Sequence, residues 1–335
     1  MRQLFYLEPG KVEWREVEDP ALEGEGEALV RPLAVALCDL DRGLLKGRTP
    51  FEGPFPLGHE FVGEVADGGG AAGVQPGDRV VASFQISCGE CERCRAGITG
   101  SCTAVSPGSM YGLGAVGGDW GGALADLVRV PFARTMLFPV PNGVEPASIA
   151  SASDNVVDGW RTVGPALAEH PGAPVLVLGS SSIGLYAVQC ALALGAERVD
   201  YLDSSASRLA LAERLGANPV EGPPPRRAGR YPVTVDASSD RDGLACALRS
   251  TEPGGTCTSV GIYFGEETPV PLFEMYLSGL TFRTGRPDCC AHLPEVLDLI
   301  EQGRLDPSTV TSATVSFDDA EEAVADPPMK LVVER

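Results

Sequence analysis

Pro174-Val-Leu-Val-Leu-Gly-Ser-Ser-Ser-Ile-Gly-Leu185 reads as a short unbroken apolar strand, a tight turn and the start of a helix. Gly179 and Gly184 hold the outer positions of a G-x-G-x-x-G dinucleotide fingerprint, and Ser181 takes the middle one. A glycine there lets a pyrophosphate approach the backbone at the helix N-terminus; serine is small and can offer a hydrogen bond instead. The next strand, Arg198 to Leu202, ends in Asp203, nineteen residues after Gly184. A carboxylate at that place accepts hydrogen bonds from both ribose hydroxyls and repels a 2′-phosphate, which favours NAD(H) over NADP(H). The candidate cofactor-binding set is Gly179, Ser181, Ser182, Ile183, Gly184, Asp203 and Arg208. The plainer alternative is an α/β turn followed by a surface aspartate.

Outward from this stretch the rhythm continues. Pro146 to Ala168 is helical in composition, Ile183 to Gly195 is amphipathic, and Ser207 to Leu215 places Leu209, Ala212 and Leu215 at helix spacing. Val233 to Asp236, Thr256 to Val260 and Leu280 to Arg283 supply further strands. Strands alternating with helices predict an α/β fold with a parallel sheet covered on both faces. Residues 1 to about 145 differ: Ala28 to Ala36 and Phe61 to Ala66 are β-rich, and Gly77 to Val81 is a turn entering a strand. A helix at Pro294 to Gly303 and a strand at Lys330 to Glu334 close the chain.

At 335 residues the chain suits two domains. A net charge of −20 repels phosphate backbones and anionic lipid, so neither nucleic acid nor membrane is an expected partner. No basic-then-apolar leader opens the sequence, and the most apolar stretch, Ala173 to Ala196, is broken by Gly179 and three serines. A cytoplasmic protein is expected. The three lysines beside 23 arginines read as a bias of the source genome.

Cys88, Cys91, Cys94 and Cys102 follow the spacing C-x2-C-x2-C-x7-C in one loop. Four thiolates so close in sequence can fill every position of a tetrahedral zinc, a structural site. Disulfides at this spacing would force strained small rings. Cys190, Cys246, Cys257, Cys289 and Cys290 read as reduced packing residues. A second, scattered donor set comprises Cys38 at the end of an apolar strand, His59 in P-L-G-H-E-F, and Asp154 in S-A-S-D-N. A thiolate, an imidazole and a carboxylate leave a fourth zinc position open for substrate or water. Singly each is weak: a lone cysteine is usually packing, and Asp154 could cap a helix. His170 and His292 are expected at the surface.

The order of Cys38-x-x-Asp41, Gly58-His59-Glu60, Pro76-Gly77-Asp78-Arg79-Val80, the four-cysteine lobe, Gly121-Gly122-Ala123, Asp154 and the nucleotide turn resembles the zinc-dependent medium-chain alcohol dehydrogenase family, with its sorbitol and threonine dehydrogenase relatives. The resemblance implies two zinc ions per chain, one held by Cys38, His59 and Asp154 and one by the cysteine lobe. It implies that Glu60 is an exchanging or neighbouring carboxylate and that Asp41 orients the imidazole. It further implies a GroES-like catalytic domain from residues 1–150 and 288–335, a Rossmann NAD-binding domain at 151–287, and a homodimer or homotetramer. Thr256 to Phe264 and Leu272 to Phe282 are candidate contact segments between copies.

The chain departs from the family around the reacting centre. Where relatives carry a serine or threonine that relays a proton, it has Leu40; where some carry a further histidine, it has Gly43. Asp39 stands where relatives have glycine or a pyrophosphate-binding arginine. The expected activity is NAD-dependent oxidation of a primary or secondary alcohol, polyol or sugar alcohol, or reduction of the matching carbonyl. The lost relay motivates two alternatives: a zinc–nicotinamide enzyme with a dismutation or masked redox step, and a nucleotide-binding descendant without turnover. Phe51, Trp120 and Trp160 are candidates to line a substrate pocket, and equally to be packing.

Overall fold

The computed structural model describes residues 1–265 and 267–335. They form two compact units, Met1–Val157 with Asp288–Arg335, and Asp158–Pro287. Strands β1 (Arg2–Glu8), β2 (Lys11–Glu16), β3 (Ala28–Ala36), β4 (Phe55–Pro56), β5 (Glu60–Gly68), β6 (Arg79–Ala82), β7 (Val128–Val130) and β8 (Leu137–Pro139) open the first unit. The second unit contains β9 (Val175–Leu178), β10 (Val199–Asp203), β11 (Asn218–Glu221), β12 (Tyr231–Asp236), β13 (Thr251–Ser259) and β14 (Thr281–Thr284). The chain then returns to the first unit with β15 (Ala313–Ser316) and β16 (Leu331–Glu334).

In the first unit a small antiparallel sheet runs β2-β1-β4, and a larger one runs β15-β16-β3-β5-β6-β8 with β7 also on β3. Pro32 interrupts the middle of β3, and the ladder to β5 shifts register between Pro32 and Ala34 to accommodate the missing donor. Leu4, Val30, Val35, Phe61, Val80, Tyr111, Leu124 and Val333 fill the core between these sheets. β16 lies antiparallel to β3, which brings the far end of the chain beside Leu37 and Cys38.

The second unit is one parallel sheet in the order β11-β10-β9-β12-β13-β14. Numbered from its own first strand this is 3-2-1-4-5-6, the doubly wound nucleotide-binding order. Every residue of β9 and β10 is buried, as a strand covered on both faces requires, so neither shows polar alternation.

Three expectations need correction. The composition change near Glu145 marks short turns, and the units divide between Val157 and Asp158, so residues 151–157 belong with the first unit. The helix expected from Pro146 to Ala168 is three pieces: a 3-10 turn at Pro146–Ile149, a wide π-helical turn at Ala152–Val156, and an α-helix at Val157–Glu169. The helix expected at Pro294 begins five residues earlier and spans Cys289–Glu301. Cys289 anchors that start, its backbone N–H on Gln85 and its thiol on the Ser153 carbonyl, and this packing outweighs the hydrogen bond lost at Pro294.

Candidate metal and nucleotide sites

Cys38 is the N-cap of the helix Asp39–Leu45. Its Sγ accepts from the Leu40 N–H at 3.2 Å, and Asp41 Oδ2 reaches back to the Cys38 N–H at 3.0 Å. Helix capping therefore fixes both side chains. His59 follows Gly58, whose φ of +89° and crowding against Leu124 leave no room for a side chain. Ala123 N–H donates to the Gly58 carbonyl at 2.7 Å, which ties the Gly58-His59 and Gly121-Gly122-Ala123 segments together. Asp154 projects from the π-helical turn. Wide turns of this kind recur at functional sites because they re-aim one side chain within a helix.

These elements place donor atoms of Cys38, His59, Glu60 and Asp154 within 4.8 Å of one another, all four residues buried. His59 Nε2 lies 3.2 Å from Asp154 Oδ2, while Nδ1 faces Asp41 Oδ1 at 3.6 Å. Both Nδ1 and that Asp41 oxygen are buried without a hydrogen-bond partner. A small movement joins them, and the joined pair would turn Nε2 toward a cation with Asp41 as the orienting carboxylate. The donor set suits zinc: one soft thiolate, one imidazole, one carboxylate.

Glu60 is engaged on both oxygens. The Asn155 N–H donates to Oε1 at 3.2 Å, and Lys330 Nζ donates to Oε2 at 2.6 Å. Lys330 also donates to the Leu37 carbonyl at 3.0 Å and Asn155 Oδ1 at 2.8 Å, and its side chain is 0% exposed. Burial pushes the Glu60 carboxyl up, Lys330 pulls it back, and the balance rests at about 8. Burial and the carboxylates of Asp154 and Asp41 push the Cys38 thiol well above its ordinary range. Burial opposes a charged His59, but Asp41 and Asp154 overcome it and hold the imidazole at about 9. A divalent cation reverses this logic, since it takes the place of the protons on Cys38 and His59.

Sequence reading missed Lys330 and Asn155. The available signal was slight: Lys330 is one of three lysines in the chain and stands at the mouth of an apolar strand.

Cys88, Cys91, Cys94 and Cys102 also place their sulfurs within 4.8 Å of one another. Cys91 and Cys102 Sγ are 4.0 Å apart, far beyond a disulfide bond, and every cysteine of the chain is free. Backbone N–H groups of Cys88, Glu90, Cys91 and Cys94 donate to these sulfurs, the environment a thiolate cage needs.

In the second unit the turn after β9 has Gly179 beneath the Tyr201 ring: a Cβ there would lie 2.0 Å from the phenolic oxygen. A Cβ on Gly184 would lie 3.3 Å from Ala237 and 3.4 Å from the Gly179 Cα, so the outer glycines serve close packing. Ser181 has φ −144°, ψ 176°, extended backbone open to any residue, which accounts for serine at the middle position. Ser180, absent from the sequence-derived set, donates to the Ser238 carbonyl at 2.8 Å and fixes the turn against the end of β12. Ser182 and Ile183 begin the helix Ser182–Ala193. Asp203 ends β10 and is bound by Arg208, Ser205 and Tyr201. Burial works to raise its carboxyl, and these donors overcome burial and hold it below the usual range.

Phe51 and Trp120 pack against the core of the first unit, and Trp160 lies on the helix Val157–Glu169 against Gly164. His170 ends that helix and His292 lies within Cys289–Glu301; neither joins a donor cluster among the described residues.

Residues 24–142 match the alcohol dehydrogenase GroES-like domain, and residues 182–302 match the zinc-binding dehydrogenase family. The probable zinc-binding alcohol dehydrogenase Rv1895 of Mycobacterium tuberculosis is 30% identical over 332 residues, covering 97% of this chain and 85% of its own. Alcohol dehydrogenase TADH of Thermus sp. ATN1 superposes with a TM-score of 0.92 at 30% identity, with 100% of both chains covered. A zinc-binding dehydrogenase of Sinorhizobium meliloti, solved with NADP, has a TM-score of 0.82 at 26% identity, covering 100% of this chain and 99% of its own. A GroES-like β unit joined to a doubly wound nucleotide fold is the architecture of a medium-chain dehydrogenase. The chain belongs to the zinc-binding alcohol dehydrogenase family, and its chemistry is alcohol oxidoreduction.

Proposed function

We propose that the protein is a dehydrogenase holding two zinc ions per chain, which oxidises a primary or secondary alcohol, polyol or sugar alcohol with NAD, or reduces the matching carbonyl. The reading is carried by one observation, the buried convergence of Cys38, His59 and Asp154 in a chain of this family. When bound, zinc supplies Lewis-acid polarisation of the substrate oxygen and the nicotinamide gives or accepts the hydride. Cys38, His59 and Asp154 hold the metal, and Asp41 holds the His59 ring in its orientation. Lys330 and Asn155 restrain Glu60 beside the ligands. The four cysteines hold the other zinc and stiffen their loop. Gly179, Ser181 and Gly184 receive the pyrophosphate, and Asp203 the adenosine ribose, which favours NAD(H).

The Leu40 side chain has no exchangeable proton to relay. The Leu40 N–H instead donates to the Cys38 sulfur, so this residue tunes the ligand and leaves proton exit to water or to Asp39. Loss of a positioned acid–base group costs about 10²- to 10⁴-fold in rate, so slow turnover on simple alcohols is expected.

The test is zinc content by elemental analysis of wild type and Cys38→Ser, with reduced nicotinamide followed at 340 nm over a panel of alcohols and polyols. Two zinc ions falling to one, with turnover lost in the variant, supports the proposal. One zinc in both proteins removes the catalytic site. Two zinc ions with no turnover on any member of the panel favours the reading without net alcohol oxidation.

A further inference from the structure

Asp154 sits in a wide π-helical turn, where the ordinary four-residue hydrogen-bond ladder does not fix the backbone. The peptide groups on either side of it are held from outside the turn. The peptide leaving Asp154 is held through the Asn155 N–H, which donates to Glu60 Oε1 at 3.2 Å. The peptide entering Asp154 is held through the Ser153 carbonyl, which accepts from the Cys289 thiol at 2.8 Å. Each peptide is a rigid plane, so turning either one swings the Asp154 side chain. These two bonds therefore set where the carboxylate points.

Cys289 is firmly placed for this task. It is fully buried at the first residue of the helix Cys289–Glu301, and its N–H donates to Gln85 Oε1 at 3.2 Å. Gln85 follows Phe84, whose ring centroid lies 5.5 Å from that of His59, so the same anchor reaches the neighbourhood of a second ligand. The Ser153 hydroxyl gives no help, since it is buried without a hydrogen-bond partner. The Cys289 sulfur itself belongs to neither donor cluster. Burial and the adjacent Cys290 push its thiol well above the ordinary range, which keeps the donated proton on sulfur.

Building on the zinc-site reading above, we propose that Cys289 is a positioning residue for the metal held by Cys38, His59 and Asp154. Its thiol fixes the peptide entering Asp154 and so sets how tightly that carboxylate completes the ligand set. A thiol suits the place: it packs as a small hydrophobe at a buried helix start and still offers one weak donor. A sulfur that merely fills space makes the opposite demands. An apolar replacement would then be tolerated, and serine would be penalised for burying a hydroxyl.

The test measures zinc affinity of the full chain by competition with a chromophoric chelator, in wild type, Cys289→Ala and Cys289→Ser. Cys38→Ser, expected to keep only the lobe metal, identifies which binding step belongs to which site. Cys289→Ala should weaken the zinc held by Cys38, His59 and Asp154 by about 10- to 100-fold, the usual cost of losing a partner behind the ligands. The lobe zinc should be unchanged. Cys289→Ser should recover most of the loss, because its hydroxyl can donate to the same carbonyl. Cys289→Val fills the space of the sulfur without a donor; it should match the alanine variant and replaces it where alanine does not fold. Unchanged affinity in the donor-free variants, serine no better than alanine, or both sites weakened together overturns the inference and leaves the zinc reading standing. A wild type that holds only the lobe zinc overturns both.

Discussion

Titration of His59 connects the geometry of the metal cluster to a measurable pH dependence. Burial alone would lower this imidazole, and Asp41 and Asp154 instead hold it at about 9. Its pKa in the folded metal-free protein thus exceeds the ordinary 6.5, so its contribution to metal-free stability is full below about pH 6.5 and is lost as pH rises through 9. Zinc reverses the dependence, because the metal must expel the His59 proton and the Cys38 proton. Between pH 6 and 8 the logarithm of the apparent zinc affinity should rise with a slope of about two per pH unit, read by competition with a chromophoric chelator. Cys38→Ser should reduce the slope toward one, and a pH-independent affinity would refute the protonation scheme. Lys330 gives a second residue-scale prediction. Lys330→Met takes the shared donor away from Glu60, Asn155 Oδ1 and the Leu37 carbonyl, while Glu60 stays neutral by keeping a proton, and should destabilise the chain by about 1–3 kcal/mol in chemical denaturation. Lys330→Arg should cost less, and a loss below about 0.5 kcal/mol for the methionine variant would mean that the acceptors Lys330 serves find other donors. That Cys38, His59 and Asp154 come together was legible from the order of motifs along the chain, since each residue taken singly is ambiguous. Lys330 was not, because its role comes from Glu60, far off in the chain, and β16 supplies that encounter only after folding.

Elements were legible wherever local pattern and tertiary burial agreed. β3 and β9 fall where β-rich and apolar runs predict them, and Asp203 closes β10 as expected. Legibility failed where packing overrode a local signal. Pro294 suggests a helix start, but Cys289 is pinned to Gln85 and Ser153 and the helix begins there. The π-helical turn that carries Asp154 has no sequence signature, since its wider bonding reflects how its five buried residues pack. The phosphate turn offers a test of local fit. Gly179→Ala would put a methyl group into the Tyr201 phenol, and overpacking of this kind costs about 1–3 kcal/mol. Tyr201→Ala in the same chain removes the clash, so a double-mutant cycle on thermal stability should show coupling of about 1 kcal/mol or more. Additive effects would mean that the turn, not Tyr201, is what excludes the alanine.

Whole-molecule behaviour turns on what the second unit leaves uncovered. β14 is an edge strand that pairs only with β13 among the described residues. The nearby helix Leu272–Ser278 exposes Leu272, Phe273, Tyr276 and Leu277 at 68, 72, 79 and 66%. On the same helix Glu274 is turned back onto Arg226 and Arg249, so the polar residue is spent inward while the apolar ones face out. An edge strand with a single charged residue, Arg283, beside an apolar helix is costly for a monomer, whose edges are usually blunted by charge, proline or cover. A second copy would resolve both costs if the two edges paired across a twofold axis and the two helices covered each other, as a self-complementary interface requires. The protein should therefore sediment as a dimer at micromolar concentration. Leu272→Glu with Tyr276→Glu should shift it to monomer by burying like charges against each other, with the zinc content of each chain unchanged. A wild-type monomer would show that the exposed helix serves something other than self-association. A tetramer that the double variant reduces to dimers would place this face at one of two interfaces, with the other still to be found on the remaining surface.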